Sequence, residues 1–353
     1  MDKSGQNILI LAKLNEVCGN SSTATRIKCH LAKVGFHCIL QDVGSTECVD
    51  ALLQQHQISA ILALHAYHSG KILTNSRLNI PYAVVLGGTD VNEYHRDTDK
   101  MKIMSSVLKH SKYIIGFSKQ MVNTAARLWK NIDAGIFISI PQAVETYPSD
   151  FSLPEYLKAH NHIPAGLSAQ DLDIFLLIGG IRSVKDPLYL TDIFSEWHRE
   201  HRTCFFVIIG PKIEDCYYEK FLKKIQTLPG VVYINGLIPS DTHASIEQSC
   251  AVVNSSLSEG MSTAILEAMQ LGTPVIARNI PGNSAILQDG KSALLYNTPQ
   301  EFLEKAKLLL CDPTLYNEIV IAAKQSIETC HNLEEEGRSY TMVVHDLLSK
   351  IHH

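Results

Sequence analysis

Short apolar runs recur along the chain, and the stretches between them carry a different period. Residues 7–12, 37–41, 60–65, 82–86, 113–118 and 135–140 are aliphatic bursts with polar residues mostly at their edges. Runs of this length read as buried strands. Residues 23–34 and 101–110 instead space their apolar positions three and four apart, as an amphipathic helix does. Strand and helix in alternation predict a parallel, doubly wound sheet. Residues 141–166 break the rhythm, with Pro141, Pro148, Pro154 and Pro164 set among Ser, Asn and His in the texture of a linker. A second alternation follows, with strands at 174–178, 204–209, 231–234, 251–253, 274–277 and 293–295, and the chain beyond Thr298 is mainly helical. The pattern therefore predicts two α/β domains, 1–145 and 171–330, joined by a linker at 146–170 and followed by a helical segment at 331–353. Ligands of such sheets bind outside the carboxyl ends of strands, so the residues that follow strands carry the chemistry.

Composition narrows the class of protein without naming a substrate. At 353 residues the chain has the length for about two domains with sizeable cores. A net charge of −5 and the lack of a dense basic run argue against nucleic acid as a partner. The nine cysteines are scattered, with no Cys-x-x-Cys pair, which fits reduced thiols in a cytoplasmic setting, with unconventional export left open. The apolar run at 8–12 is too short for a secretory signal, and no run has the length of a transmembrane helix.

One stretch concentrates the chemical signals. The strand ending at Val253 runs into Asn254-Ser255-Ser256-Leu257-Ser258 and then Glu259-Gly260-Met261-Ser262. From Ser262 the apolar positions Ile265, Leu266, Met269 and Leu271 predict a helix, with Gly272 as its stop. The start of that helix offers unpaired N–H groups and partial positive charge to an anion, with the amides of Gly260, Met261 and Ser262 nearest. Glu259 stands before the helix and Glu267 within it. A carboxylate accepts through two oxygens and suits the vicinal hydroxyls of a ribose or a hexose. The plainer reading of Glu267 is a solvated helix residue.

A second signal follows the strand at 174–178: Gly179-Gly180-Ile181-Arg182-Ser183-Val184-Lys185-Asp186. The glycines allow close approach, and Arg182 and Lys185 bring two cations to one place, the compensation that a diphosphate leaving group needs. Three loops of the first half also follow strands. Gly19-Asn20 precedes a helix, where glycine lets a ligand come near the backbone. His65-Ala66-Tyr67-His68 follows the third strand; two histidines three apart suggest a metal, but no further ligand stands near them and none is assigned. Gly87-Gly88-Thr89-Asp90 follows the fourth, where Thr89 and Asp90 can reach hydroxyls or Asp90 can cap the next helix. The Asp-x-Asp strings at 97–99 and 171–173 precede a helix and enter a strand, and are read as chance.

Several of these segments resemble one family. Ser256-x-x-Glu259-Gly260, Leu266-Glu267-Ala268-Met269 and Gly272-Thr273-Pro274-Val275 resemble the donor-binding segment of the group-one, retaining glycosyltransferases of GT-B fold. Gly180-x-Arg182-x-x-Lys185 resembles that family's basic turn, with one residue fewer before the lysine than in its commonest form. Tyr233-Ile234-Asn235-Gly236 resembles its hydrophobic-x-Gly element, and Ile140-Pro141-Gln142-Ala143-Val144 its domain exit with Gln and Ala substituted. Gly19-Asn20 stands where a Gly-Gly pair is usual.

The resemblance implies two Rossmann-like domains facing a cleft, the last helix crossing back to the first. It implies a nucleotide-diphosphate sugar as co-substrate with no other cofactor, an acceptor of unknown identity, and hexosyl transfer with retention and without a metal. Glu267 would take the ribose, Gly236 the base, and Arg182, Lys185, Gly180 and the 260–262 amides the diphosphate. Gly19 would lie against the donor, Glu259 would bind its sugar, and His65, His68, Thr89 and Asp90 would serve the acceptor side. Other readings are a non-catalytic nucleotide-sugar binder, an epimerase or hydrolase on the same fold, and an oxidoreductase. The last is disfavoured because no Gly-x-Gly-x-x-Gly follows the first strand.

Overall fold

The computed structural model describes residues 6–14, 19–45, 49–74, 80–164, 166–168 and 171–349. The chain divides into two compact units, Met1–Ala143 with Asn332–His353, and Val144–His331.

The first unit is a six-stranded sheet of β1 (Asn7–Ala12), β2 (His37–Asp42), β3 (Ile58–Leu64), β4 (Tyr82–Val85), β5 (Tyr113–Gly116) and β6 (Phe137–Ser139). Its order is β2-β1-β3-β4-β5-β6 and every pairing is parallel. Residues 8–12 of β1 are all buried, so the strand shows no polar alternation; helices on both faces of a parallel sheet remove the solvent side. The last helix, Leu333–Ser349, belongs to this unit and packs on helix Gly19–Lys33 with Tyr340, Val344 and Leu347 fully buried. A polar clamp joins the two helices. Glu336 accepts from Arg26 Nε at 2.6 Å and Nη2 at 3.0 Å and from the Ala143 N–H at 3.0 Å, and His30 Nε2 lies 2.9 Å away. Burial would raise the Glu336 pKa, but His30 and Arg26 hold it below the usual carboxylate value.

The second unit holds β7 (Asp173–Ile178), β8 (Cys204–Ile209), β9 (Val231–Ile234), β10 (Ala251–Asn254), β11 (Val275–Arg278) and β12 (Leu294–Tyr296), in the order β12-β11-β10-β7-β8-β9 and again all parallel. Alternate residues of β7 feed two cores: Ile174 and Leu176 enter one, Phe175 and Leu177 the other. The proline-rich stretch read as a linker is largely part of this unit. Ser152 caps helix Leu153–Ala159 by accepting from the Glu155 N–H, Pro154 sits in its first turn, and Leu153 and Leu157 are fully buried in the unit's core. Proline there starts a helix rather than marking free chain. Among the described residues no helix is long and apolar enough to cross a membrane.

Candidate functional site

Each sheet reverses its strand order once, between β1 and β3 in the first unit and between β7 and β10 in the second. Open α/β sheets bind ligands at such switch points, beyond the strand ends. The candidate residues fall at both.

In the second unit the loops after β7 and β10 are tied together. The Leu257 N–H donates to the Val184 carbonyl at 2.9 Å, and Ser255 Oγ shares its proton between the carbonyls of Lys185 at 3.0 Å and Asp186 at 2.9 Å. Glu259 is buried between them. Its Oε1 accepts from Lys185 Nζ at 2.5 Å, Ser256 Oγ at 2.6 Å and Asn254 Nδ2 at 3.1 Å. Asn254 is oriented in turn, its Oδ1 accepting from Asn283 Nδ2 at 2.9 Å and its carbonyl from the Tyr296 hydroxyl at 3.0 Å. A Cβ on Gly282 would stand 2.2 Å from the Glu259 carbonyl, so only glycine lets that turn seat against it. Burial would raise the Glu259 pKa, yet Lys185 and the two neutral donors outweigh it and hold the carboxyl below its usual value. This is an ionised pair in a buried place.

The other predicted residues of this unit lie around it. Ser262 occupies the cap position of helix Thr263–Leu271 without a side-chain cap bond, so its hydroxyl does not claim the first-turn N–H groups. Gly260 and Met261 are half-buried in the turn that leads there. Gly272 ends the helix at φ +85°, where glycine is unstrained. Glu267 keeps a quarter of its side chain exposed, with His243 Nε2 at 3.7 Å from Oε1. Gly180 follows β7 and Gly236 follows β9 with φ +82°.

Arg182 is half-exposed and forms no ion pair among the described residues; its charge helps, after the Ser183 hydrogen bonds, to hold the Glu214 carboxyl below the usual range. Lys185, the second cation of this turn, is paired with Glu259.

In the first unit His65 follows β3 directly and takes φ +73°, a left-handed backbone that costs a non-glycine residue free energy. Asp90 holds it there. The Asp90 carboxylate accepts from the N–H groups of Ala66 at 2.7 Å, Gly87 at 2.8 Å and Tyr67 at 3.1 Å. It also lies 2.7 Å from His65 Nδ1, close in distance but not aligned as a hydrogen bond. His65 Nε2 meets Thr89 Oγ1 at 2.6 Å. A Cβ on Gly87 would stand 2.6 Å from His65 Cδ2, so glycine makes room for the ring. Asp90 is fully buried and its oxygens are engaged, while Thr89 is half-buried with its hydroxyl against His65. Of the two roles open to Asp90, the structure shows the cap: it accepts the Gly87 N–H at the start of the next helix and with it positions His65.

His68 packs beside His65, ring centroids 4.4 Å apart, and its pKa falls to about 4, first from burial and then from His65. Gly19 opens helix Gly19–Lys33, and residues 15–18 of that loop lie outside the described residues. Asp97 of the first Asp-x-Asp string caps helix Thr98–His110, accepting from the Asp99 and Lys100 N–H groups. A groove of about 560 Å³ lined by His95, Met101 and Lys109 among others contains none of the candidate residues. Sequence reasoning did not single out His243 or Asn283, each brought to its place by a separate helix or turn with no local motif.

Comparison with known proteins bears on these corners. The family Glycosyl transferases group 1 matches residues 160–326. Over 345 residues the chain is 39% identical to glycosyltransferase 1 domain-containing protein 1 of Xenopus tropicalis, covering 96% of this chain and 98% of that one. Among solved structures, Alr3699/HepE of Anabaena in complex with UDP and glucose superposes with a TM-score of 0.78 at 12% identity, covering 97% of this chain and 100% of that chain. Sucrose-phosphate synthase of Thermosynechococcus elongatus superposes with a TM-score of 0.77 at 16% identity, covering 98% and 99%. The two similarities in structure show the fold, GT-B.

Proposed function

The chain belongs to the group 1 glycosyltransferases, and from that premise we propose that it moves a hexosyl group from a nucleotide-diphosphate sugar to an acceptor hydroxyl, with retention and without a metal. The observation that carries the reading is the buried Glu259, ionised and gripped by Lys185 at the switch point beside an uncapped helix start. The leaving diphosphate takes Arg182, Lys185 and the first-turn amides as its charge partners. Lys185 reaches it by sharing its proton donors between Glu259 and phosphate. Glu259 holds the donor sugar's hydroxyls, and Glu267 accepts from the ribose, a charge-assisted contact worth about 1.5–3 kcal/mol.

In the reaction the bond from the sugar C1 to the phosphate oxygen breaks and the acceptor oxygen bonds C1 on the same face. The acceptor proton passes to the departing phosphate oxygen, so no separate base is required. His65, held by Asp90 and Thr89 and flanked by His68, serves the acceptor side. The cationic residues stand in for a metal at the diphosphate. The HepE structure is a complex with UDP and glucose, which makes a uridine diphosphate hexose the first donor to test.

A thermal-shift panel of UDP-, GDP-, ADP- and CMP-sugars with and without EDTA tests donor binding. Ligand at a hundred times its dissociation constant stabilises by about 2.7 kcal/mol. A shift with one nucleotide class that EDTA leaves unchanged is the expected result. A shift abolished by EDTA would overturn metal independence, and no shift with any nucleotide sugar would overturn the donor site. Anomeric configuration of the product by NMR tests retention.

A further inference from the structure

We propose that His243 is the positioning residue that sets Glu267 for the ribose hydroxyls of the donor, an inference that rests on reading Glu267 as the ribose ligand. His243 lies on helix Pro239–Glu247, which packs against the helix carrying Glu267, and only 6% of it is exposed. The Tyr147 backbone N–H donates to its Nδ1 at 3.0 Å. That nitrogen is therefore an acceptor, and the ring proton of the neutral tautomer sits on Nε2. Nε2 lies 3.7 Å from Glu267 Oε1, a proton-bearing nitrogen beside a carboxylate borne on a flexible stem and within reach of it after a small rotamer shift.

One turn further along the same helix, Gln270 Nε2 donates to the Val144 carbonyl at 3.3 Å. The helix that carries Glu267 is thus tied to residues 144–147 by Gln270 and, through the neighbouring helix, by His243. A ring that occupies one side of one carboxylate oxygen leaves the remaining lone pairs for two vicinal hydroxyls. It also selects, among the glutamate rotamers, those that face it. The arrangement resembles that of ring nitrogens which orient ligating groups elsewhere: one nitrogen anchored on the backbone, the other set beside the working side chain.

The test compares affinity for UDP, GDP and ADP with that for the 2′,3′-dideoxy form of each, by calorimetry on the full chain. Wild type is expected to prefer the ribose form of its nucleotide by about tenfold or more, because a site built for hydroxyls rejects the analogue without them. Glu267→Gln should lose that preference. His243→Asn keeps an acceptor for the Tyr147 N–H but cannot reach Glu267, and its preference should drop to about twofold. His243→Gln, which places an amide donor near the position of Nε2, should keep most of it. A merely structural histidine would alter melting temperature but not this ratio.

A folded His243→Asn protein with the wild-type ratio overturns the inference, as does a folded His243→Gln protein that loses the ratio. A wild-type protein with no preference in any of the three pairs, or a Glu267→Gln protein that keeps it, overturns instead the assignment of ribose to Glu267.

Discussion

The corner after β3 and the corner after β10 occupy corresponding switch points of two parallel sheets, yet each is built around a buried carboxylate used in a different way. Asp90 accepts three backbone N–H groups and through them fixes the turn that presents His65 in a strained conformation. Glu259 accepts from three side chains, one of them a lysine at the end of a four-carbon stem. A carboxylate bound to the backbone stores a shape. A carboxylate bound to side chains stores charge that a ligand can redistribute. The first arrangement suits the placing of a ring against an acceptor, the second a site where an anion arrives and leaves.

Removing each carboxylate's charge breaks the comparison most sharply. Glu259→Gln should lower transfer by about 10²–10³-fold, the scale for loss of a group aimed at developing charge. It also leaves the Lys185 ammonium without its buried partner, an effect of about 3 kcal/mol on stability. Turnover and thermal melting measured together check both, and a Gln variant with wild-type turnover would remove Glu259 from the reaction. The pH dependence has a definite sign. The folded pKa of Glu259 lies below its unfolded value, so its stabilisation is complete above the ordinary carboxylate range and is lost as pH falls through the depressed folded value.

Asp90→Asn should behave differently. One carbonyl oxygen replaces two, so at least one of the three N–H groups loses its partner, and an amide N–H₂ is turned toward a donor. The expected loss is about 2–4 kcal/mol of stability, with turnover falling because His65 is released from its place. Donor affinity, by contrast, should stay near the wild-type value. An Asp90→Asn protein of unchanged melting temperature and reduced donor affinity would contradict the division between the two corners.

The two corners also differ in how much of them can be read from the chain. Residues 254–272 present the second corner almost contiguously, so the helix start, Glu259, Glu267 and the Gly272 stop are legible from local pattern. Its partner Lys185 lies 74 positions away, and the pairing that commits it to Glu259 depends on β7 and β10 being neighbours, a fact of sheet order. Asp90 shows the limit more plainly. Asp90 after a strand reads equally as a ligand contact or a helix cap, and only the fold shows that three amides take up its carboxylate. Helix Leu153–Ala159 was hidden for a related reason, since proline at a helix start and proline in a linker leave the same local trace.

The smallest expected effect separates the corners by acid titration. His68 has its pKa lowered from 6.5 to about 4. Between those values the unfolded chain binds a proton that the folded chain refuses, so stability declines as pH falls from 6.5 towards 4 and then levels. Glu259 acts in a lower window, since its contribution persists until its depressed carboxyl protonates. The first unit should therefore carry a His68-dependent weakening in mild acid, separate from that of the second, where burial lowers the His162 pKa. Each unit contains one buried tryptophan, Trp129 in the first and Trp197 in the second, so Trp→Phe replacement of either leaves a fluorescence reporter for the other. Denaturant midpoints followed through Trp129 should fall between pH 6.5 and 4 with a slope that His68→Gln flattens. Those followed through Trp197 should not respond to His68→Gln. Equal slopes from both reporters, unchanged by the substitution, would show that the His65–His68 pair does not set the acid response of its own unit.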